Sequence, residues 1–278
     1  GTWYVREIEQ PAGFVLDDTI YPVTIGADGQ VVEIEIVNRY VRGNIHLTKV
    51  DSEYPDNKLT GATFEVYKDS NANGKLDDGD ELLGTLTEKE IGEYGMNDLF
   101  YGRYFVKETK APEGFVLDTG VYEVMIDTNG KTYEVENKAG VGFVNDAMRG
   151  NLKIIKTSSD GKVKGFAFRI TGANGYDIIL ETNDKGEIFI DGLRIGDYTI
   201  SEVSNSASSM YVLPADKKAT VKLGSTTIVE MHNVLRDTPK TGDTTNLPLL
   251  YALAGLSAVG IAVCGVIGFK KKKKEDRN

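Results

Sequence analysis

The stretch NLKIIKT, Asn151–Thr157, alternates with the period of a strand. Successive side chains of a strand point to opposite faces, so Leu152, Ile154 and Lys156 share one face while Lys153, Ile155 and Thr157 share the other. Two aliphatic neighbours direct Lys156 toward a core. GNIHLTKVD, Gly43–Asp51, repeats the arrangement, with Ile45, Leu47 and Lys49 on one face and His46, Thr48 and Val50 on the other. Two lysines at matching places on apolar faces call for a common cause.

Two more elements recur. GTWYVRE at Gly1, GRYFVKE at Gly102 and GDYTISE at Gly196 each run from a glycine through an aromatic and an aliphatic residue to a glutamate on the same face. The glutamates are Glu7, Glu108 and Glu202. IEIVN, GFVN and VEMHN then close the copies at Asn38, Asn145 and Asn233, each asparagine sharing a face with apolar residues. Asn38 precedes Lys49 by the interval at which Asn145 precedes Lys156, and RGN recurs at Arg42–Asn44 and Arg149–Asn151. GATFEV and GFAFRI place Ala62, Phe64 and Val66, and Phe166, Phe168 and Ile170, inward. The order lysine, glutamate, asparagine defines a tandem array: the end of one module over 1–43, a complete module over 44–149 and another over 150–235. Short alternating strands separated by Gly, Asn and Asp turns predict an all-β chain of sandwiches.

YVREIEQPAGFVLDD from Tyr4 and YFVKETKAPEGFVLDT from Tyr104 carry a family resemblance. They resemble the B-type (CnaB) repeats of collagen adhesins, also found in SpaA-like pilins, which fold as prealbumin-like or inverse immunoglobulin sandwiches. The third copy departs after Glu202, where SEVSNSASSMYVLPAD lacks the Pro-x-Gly-Phe pattern. In that family the lysine and asparagine are joined by an isopeptide bond and the glutamate assists. The resemblance implies Lys49, Glu108 and Asn145 as one triad and Lys156, Glu202 and Asn233 as a second. Glu7 and Asn38 form an incomplete triad, whose lysine would lie before Gly1.

Burial gives that chemistry a physical basis. Desolvation lowers a lysine pKa and raises a glutamate pKa, so both shifts favour an amine beside a carboxylic acid. A neutral amine is a nucleophile, and a protonated carboxyl donates a hydrogen bond to an amide oxygen. The plainer alternative is a buried ion pair capped by an asparagine, a marginal stabiliser.

The end of the chain points to its location. Leu249 to Phe269 are 21 consecutive positions without a charge, enough to cross a bilayer as a single transmembrane helix, and Lys270–Lys274 follow in a basic tail over 270–278. The positive-inside rule places the tail in the cytoplasm and everything before the span outside. In the linker over 236–248 stands TPKTG, Thr238, Pro239, Lys240, Thr241 and Gly242. Motif, span and basic tail in that order resemble the cell-wall sorting signal of Gram-positive bacteria, in which a sortase cuts between threonine and glycine and joins the threonine to peptidoglycan or a pilin subunit. Thr238 stands where leucine is usual. The resemblance implies a cell-wall location, with the membrane a partner only before sorting.

DSNANGKLDDGDE, Asp69–Glu81, interrupts the first complete module. Asp69, Asn71, Asn73 and Asp77, with a turn glycine at Gly74 and Asp80 in the twelfth position, match the spacing of an EF-hand-like calcium loop. Calcium is a candidate ligand there, and no cofactor is otherwise required. The alternative is a solvated acidic turn.

The net charge is −10 and the basic residues gathered at the end follow an apolar run, so no nucleic-acid footprint is present. The single cysteine, Cys264, excludes a disulfide framework. His46 and His232 sit apart with no serine, cysteine or metal-ligand constellation, which argues against an enzyme. The leading expectation is therefore a wall-anchored structural protein, a protease-resistant adhesin stalk or an anchoring pilin subunit. The alternatives are an adhesin whose modules bind host extracellular-matrix protein, and the spacer of a surface enzyme whose catalytic domain lies before Gly1.

Overall fold

Alternation in the sequence becomes alternation in burial. Across Arg42–Asp51, Ile45, Leu47 and Lys49 are buried while Asn44, His46 and Thr48 between them are half-buried. The computed structural model describes residues 1–237, which form three β units in chain order. The TPKTG segment, the apolar run over 249–269 and the basic tail lie outside the described residues. Among those described, no helix is long and apolar enough to cross a membrane.

The first unit consists of β1 (Thr2–Val5), β2 (Phe14–Val15), β3 (Tyr21–Thr24) and β4 (Arg39–Tyr40). β1 pairs antiparallel with β3, and β2 with β4. Two expectations are corrected here. Trp3 and Val5 do not face a core but are exposed, at 64% and 39%, and IEIVN forms no strand. Among the described residues β1 pairs only with β3 and β2 only with β4, so IEIVN has no ladder to join and no second sheet covers the aromatic face.

The second unit comprises β5 (Arg42–Asp51), β6 (Thr63–Lys68), β7 (Glu81–Thr85), β8 (Thr87–Glu90), β9 (Glu93–Phe100), β10 (Gly102–Lys110), β11 (Val121–Ile126), β12 (Thr132–Glu134) and β13 (Phe143–Asn145). A sheet ordered β11-β10-β6-β7 faces one ordered β12-β5-β9-β8, and β13 adds to β5 in parallel. Their inner faces enclose Leu47, Phe64, Val66, Tyr94, Val106 and Phe143. Phe64 meets Phe143 and Tyr94 edge-on, with centroids 4.9 and 5.3 Å apart, the arrangement that aromatic quadrupoles favour.

The third unit comprises β14 (Arg149–Ser158), β15 (Ala167–Thr171), β16 (Asp177–Glu181), β17 (Glu187–Arg194), β18 (Gly196–Val203), β19 (Tyr211–Val212), β20 (Lys217–Val221) and β21 (Thr226–Leu235). Its sheets are β17-β14-β21-β19 and β16-β15-β18-β20. Leu152, Ile154, Phe166, Phe168, Ile170, Ile200 and Met231 form the core between them. In both sandwiches the opening strand runs parallel to the closing one, β5 beside β13 and β14 beside β21. The chain is thus all-β, and aligned face-to-face sheets supply two separate cores.

Candidate functional site

Register puts the same three side chains together twice. On β5 and β13, Lys49 lies opposite Phe143 and Asp51 opposite Asn145; on β14 and β21, Lys156 lies opposite Met231 and Ser158 opposite Asn233. In each case the lysine sits two residues before the asparagine's partner, on the same inward face, a diagonal that a long side chain can span. The glutamates come from the facing sheet, where Glu108 is opposite Phe64 and Glu202 opposite Phe168.

All six side chains are buried, and none of Lys49, Glu108, Asn145, Lys156 or Asn233 exceeds 2% exposure. Asn145 donates Nδ2 to Glu108 Oε2 at 2.8 Å and Oε1 at 3.1 Å, and to the Val116 carbonyl at 2.9 Å. Asn233 donates Nδ2 to Glu202 Oε1 at 2.6 Å. Lys49 Nζ donates to the Phe143 carbonyl at 3.0 Å, and Lys156 Nζ donates to the Thr157 carbonyl while lying 4.0 Å from the centre of the Phe166 ring. Neither lysine has a carboxylate within ion-pair distance.

Burial therefore dominates the proton equilibria. It lowers Lys49 to about 8, against a smaller opposing pull from Glu108, and it lowers Lys156. Burial also raises Glu108 and Glu202, although hydrogen bonds to each carboxylate pull the other way. Both lysine and glutamate shifts move toward the neutral pair. Asn145 Oδ1 and Asn233 Oδ1 are buried with no donor. Turning the Asn233 amide end for end presents that oxygen to Glu202, where a carboxylic acid donates to it, whereas at Asn145 the Val116 carbonyl holds the nitrogen side toward Glu108.

Sequence reasoning missed a supporting group. Asp118 donates its backbone N–H to Glu108 Oε2 at 2.8 Å, and its carboxylate accepts from Asn137 Nδ2 and Gly120 N at 2.6 Å and from the Tyr122 hydroxyl at 2.9 Å. Burial alone would raise Asp118, but those three donors hold it below the usual carboxylate range. The first unit repeats the arrangement: Asn38 donates to Glu7 Oε1 at 2.6 Å, Asp17 N–H to Glu7 Oε2 at 2.7 Å, and Tyr21 to Asp17. The available signal was an aspartate ten residues after the glutamate and a tyrosine four further on, in both copies. Ten residues after Glu202 stands Val212, and Glu202 Oε2 is left without a partner. The incomplete triad is thus a Glu7–Asn38 pair with no lysine beside it.

A cleft of about 310 Å³, lined by Val116, Asp118, Asn137, Val144 and Asn145 among others, opens next to the Asn145 amide. His46 lies on the outer face between Glu93 and Glu134, at 2.8 and 2.7 Å, and His232 meets the Thr157 hydroxyl at 2.9 Å. Neither enters a triad.

The Asp69–Asp80 loop closes on itself. Asp69 accepts the N–H groups of Asn73 and Gly74 at 3.1 Å, Asn71 and Asn73 donate their side-chain amides to Asp77 at 3.0 and 2.6 Å, and Asp80 accepts from Ser70 and Asp77. The side-chain amides of both asparagines direct nitrogen at Asp77, while their oxygens accept from the Asn73 and Lys75 N–H groups. Among the described residues no three His, Cys, Asp or Glu side chains gather into a group that could hold a metal ion.

Comparisons with known proteins agree with this architecture. A family model described as SpaA, a prealbumin-like fold domain, matches residues 1–40, 43–139 and 150–234. The chain is 28% identical over 184 residues to the trypsin-resistant surface T6 protein of Streptococcus pyogenes serotype M6, covering 65% of this chain and 30% of that protein. The solved structure of the Bacillus anthracis TIE protein is 26% identical with a TM-score of 0.63, over 84% of this chain and 41% of that one. A streptococcal ancillary pilin is 21% identical over 86% of this chain and 76% of its own, with a TM-score of 0.32. The chain spans less than half the length of the T6 and TIE proteins.

Proposed function

Because the chain belongs to the SpaA family of prealbumin-like fold domains, we propose that it is a structural surface protein of a Gram-positive cell, an adhesin stalk or anchoring pilin subunit, whose two complete modules cross-link themselves. The observation that carries this reading is the twofold recurrence of a buried lysine, glutamate and asparagine in one register, each with an unpaired amide oxygen.

In the proposed step, the Lys49 amine attacks Cγ of Asn145 while the protonated Glu108 stands against Nδ2, the nitrogen that leaves. The Nζ–Cγ bond forms, the Cγ–Nδ2 bond breaks, and Glu108 relays a proton from Nζ to the departing nitrogen, so that one ammonia leaves and no other reactant is needed. The cleft beside Asn145 gives the ammonia a way out. The fold supplies the rate by holding nucleophile and electrophile at high effective concentration. Lys156, Glu202 and Asn233 act likewise. The chemistry occurs once per module and is not turnover. A relative described as trypsin-resistant is in keeping with modules whose first and last strands are tied covalently.

Intact mass under denaturing conditions tests the proposal. The recombinant chain is expected to weigh two ammonias less than its sequence, and Glu108→Ala or Glu202→Ala each to recover one. A mass equal to the sequence sinks the cross-linking half. Anchoring is read separately through TPKTG: in the native host, Thr241→Ala should leave the protein in the membrane fraction, and continued release with the wall would refute sortase attachment.

A further inference from the structure

The two Pro-x-Gly-Phe segments make the same turn and hold the same partners. Phe14 N–H donates to the Pro11 carbonyl at 3.1 Å and Phe115 N–H to Pro112 at 3.1 Å, with Gly13 and Gly114 both at φ +84°, the position of a type II turn that favours glycine. Each glycine carbonyl accepts an N–H from the linker that follows, Val41 at 2.8 Å and Met148 at 2.8 Å. The carbonyls of Val41 and Met148 accept in turn from Tyr101 and Ile195, both at 3.0 Å, in the β9–β10 and β17–β18 hairpins of the next unit. One backbone clip thus serves both junctions, with different side chains around it. At the first, Tyr40 lies between Phe14 and Phe100, with centroids 4.7 and 5.4 Å away. At the second, Arg194 forks onto Asp51, reaches Glu53 at 2.8 Å and lies over Tyr54.

The same loop faces the triad. Its Val116 carbonyl accepts from Asn145, and its Asp118 N–H donates to Glu108. After Glu202 there is no such turn, and Glu202 Oε2 has no donor.

We infer that Pro112–Asp118 is a coupling element, which docks the third unit through Gly114 and, along the same backbone, positions Glu108 and Asn145 for their reaction. This rests on the cross-linking reading above. Val116 and Asp118 are positioning residues, and reaction of Lys49 with Asn145 depends on the docked neighbour. The Lys156–Asn233 pair, in the last of the repeats, reacts without one.

Hydrogen exchange on the full-length chain tests the coupling, comparing wild type with Gly114→Val, Met148→Pro and the control Gly161→Val. Gly161 has φ +80° and nothing within 4 Å of a Cβ, so it shares the backbone cost without the docking role. In Gly114→Val the amides of Met148, Ile195 and Asp118 are expected to exchange about tenfold faster or more, while Val106 and Ile154 in the two cores keep wild-type protection. Met148→Pro removes one donor of the clip and should free Ile195 and Asp118; Gly161→Val should free none of the three. Unchanged exchange at Met148 and Ile195 in Gly114→Val overturns the docking role. Faster exchange there with Asp118 still protected overturns the coupling. These readouts need no ammonia loss, so they stand apart from the mass measurement that judges the cross-link itself. Where the wild type does lose two ammonias on folding, Gly114→Val should slow the Asn145 loss about tenfold and leave the Asn233 loss unchanged. Equal slowing of both would also overturn the coupling.

Discussion

The pH dependence of ammonia loss from the second unit separates a paired reaction from a simple amine attack. The reactive species has Lys49 neutral and Glu108 protonated, with Lys49 at about 8 and Glu108 raised by burial. Raising pH gains neutral amine while it loses protonated acid, so the two changes oppose each other. Their product falls about tenfold per pH unit below the lower and above the higher of the two pKa values. Loss of the Asn145 ammonia should accordingly pass through a maximum and decline at alkaline pH instead of rising to a plateau. Glu108→Gln removes one of the two titrations. Its slower reaction should rise with pH toward a plateau, starting at a lower pH than about 8, because the Glu108 charge that raises Lys49 is gone. The assay dilutes urea-unfolded chain into buffers across this range, follows folding by circular dichroism, and quenches into acidic urea for intact mass. A wild-type rate that climbs with pH to a plateau and never declines would mean that amine deprotonation alone limits the step, and would refute a proton-donating role for Glu108.

Asn145→Ala cannot cross-link and exposes the cost of the buried amine. Since Lys49 falls from 10.5 unfolded to about 8 folded, the penalty is complete below the folded value and is relieved as pH climbs to the unfolded one. Urea stability of this variant should therefore rise by about 3 kcal/mol over that window. Phe64→Ala in the same background removes a fully buried ring that packs edge-on against Tyr94 and Phe143; about 4 kcal/mol should be lost, measured from the unfolding midpoint of the second unit. Arg194→Ala leaves the Asp51 carboxylate, 2% exposed, without its guanidinium fork. Stability should fall by about 3 kcal/mol, seen as a lower melting temperature.

The triads were legible because strand alternation is strict. A lysine two residues after Leu47 or Ile154 must share its face, and three repeated elements named the partners. What stayed hidden was set by contacts that no period encodes. Arg194 and Asp51 meet across a junction with no sequence pattern linking them. The Asp118 support left a signal in the shared spacing of Glu7, Asp17 and Tyr21 with Glu108, Asp118 and Tyr122, but only the structure shows that a backbone N–H, not the carboxylate, touches the glutamate. The first unit shows the opposite limit. Its sequence has the inward pattern of the others, yet Trp3 is exposed and IEIVN unpaired, because a periodic face is buried only when a second layer covers it.

The parallel pairing of β14 with β21 fixes how a pull on the chain is carried. Tension entering at Arg149 and leaving at Leu235 loads the aligned strands in shear, so the ladder bonds resist together instead of opening one by one. If Lys156 is joined to Asn233 as proposed, the load path shortens further. It runs along β14 to Lys156, crosses to Asn233 and exits, and everything from Thr157 to His232 is excluded from the stretch. The module then becomes a nearly inextensible link, whose sheets, turns and core hang beside the load-bearing line.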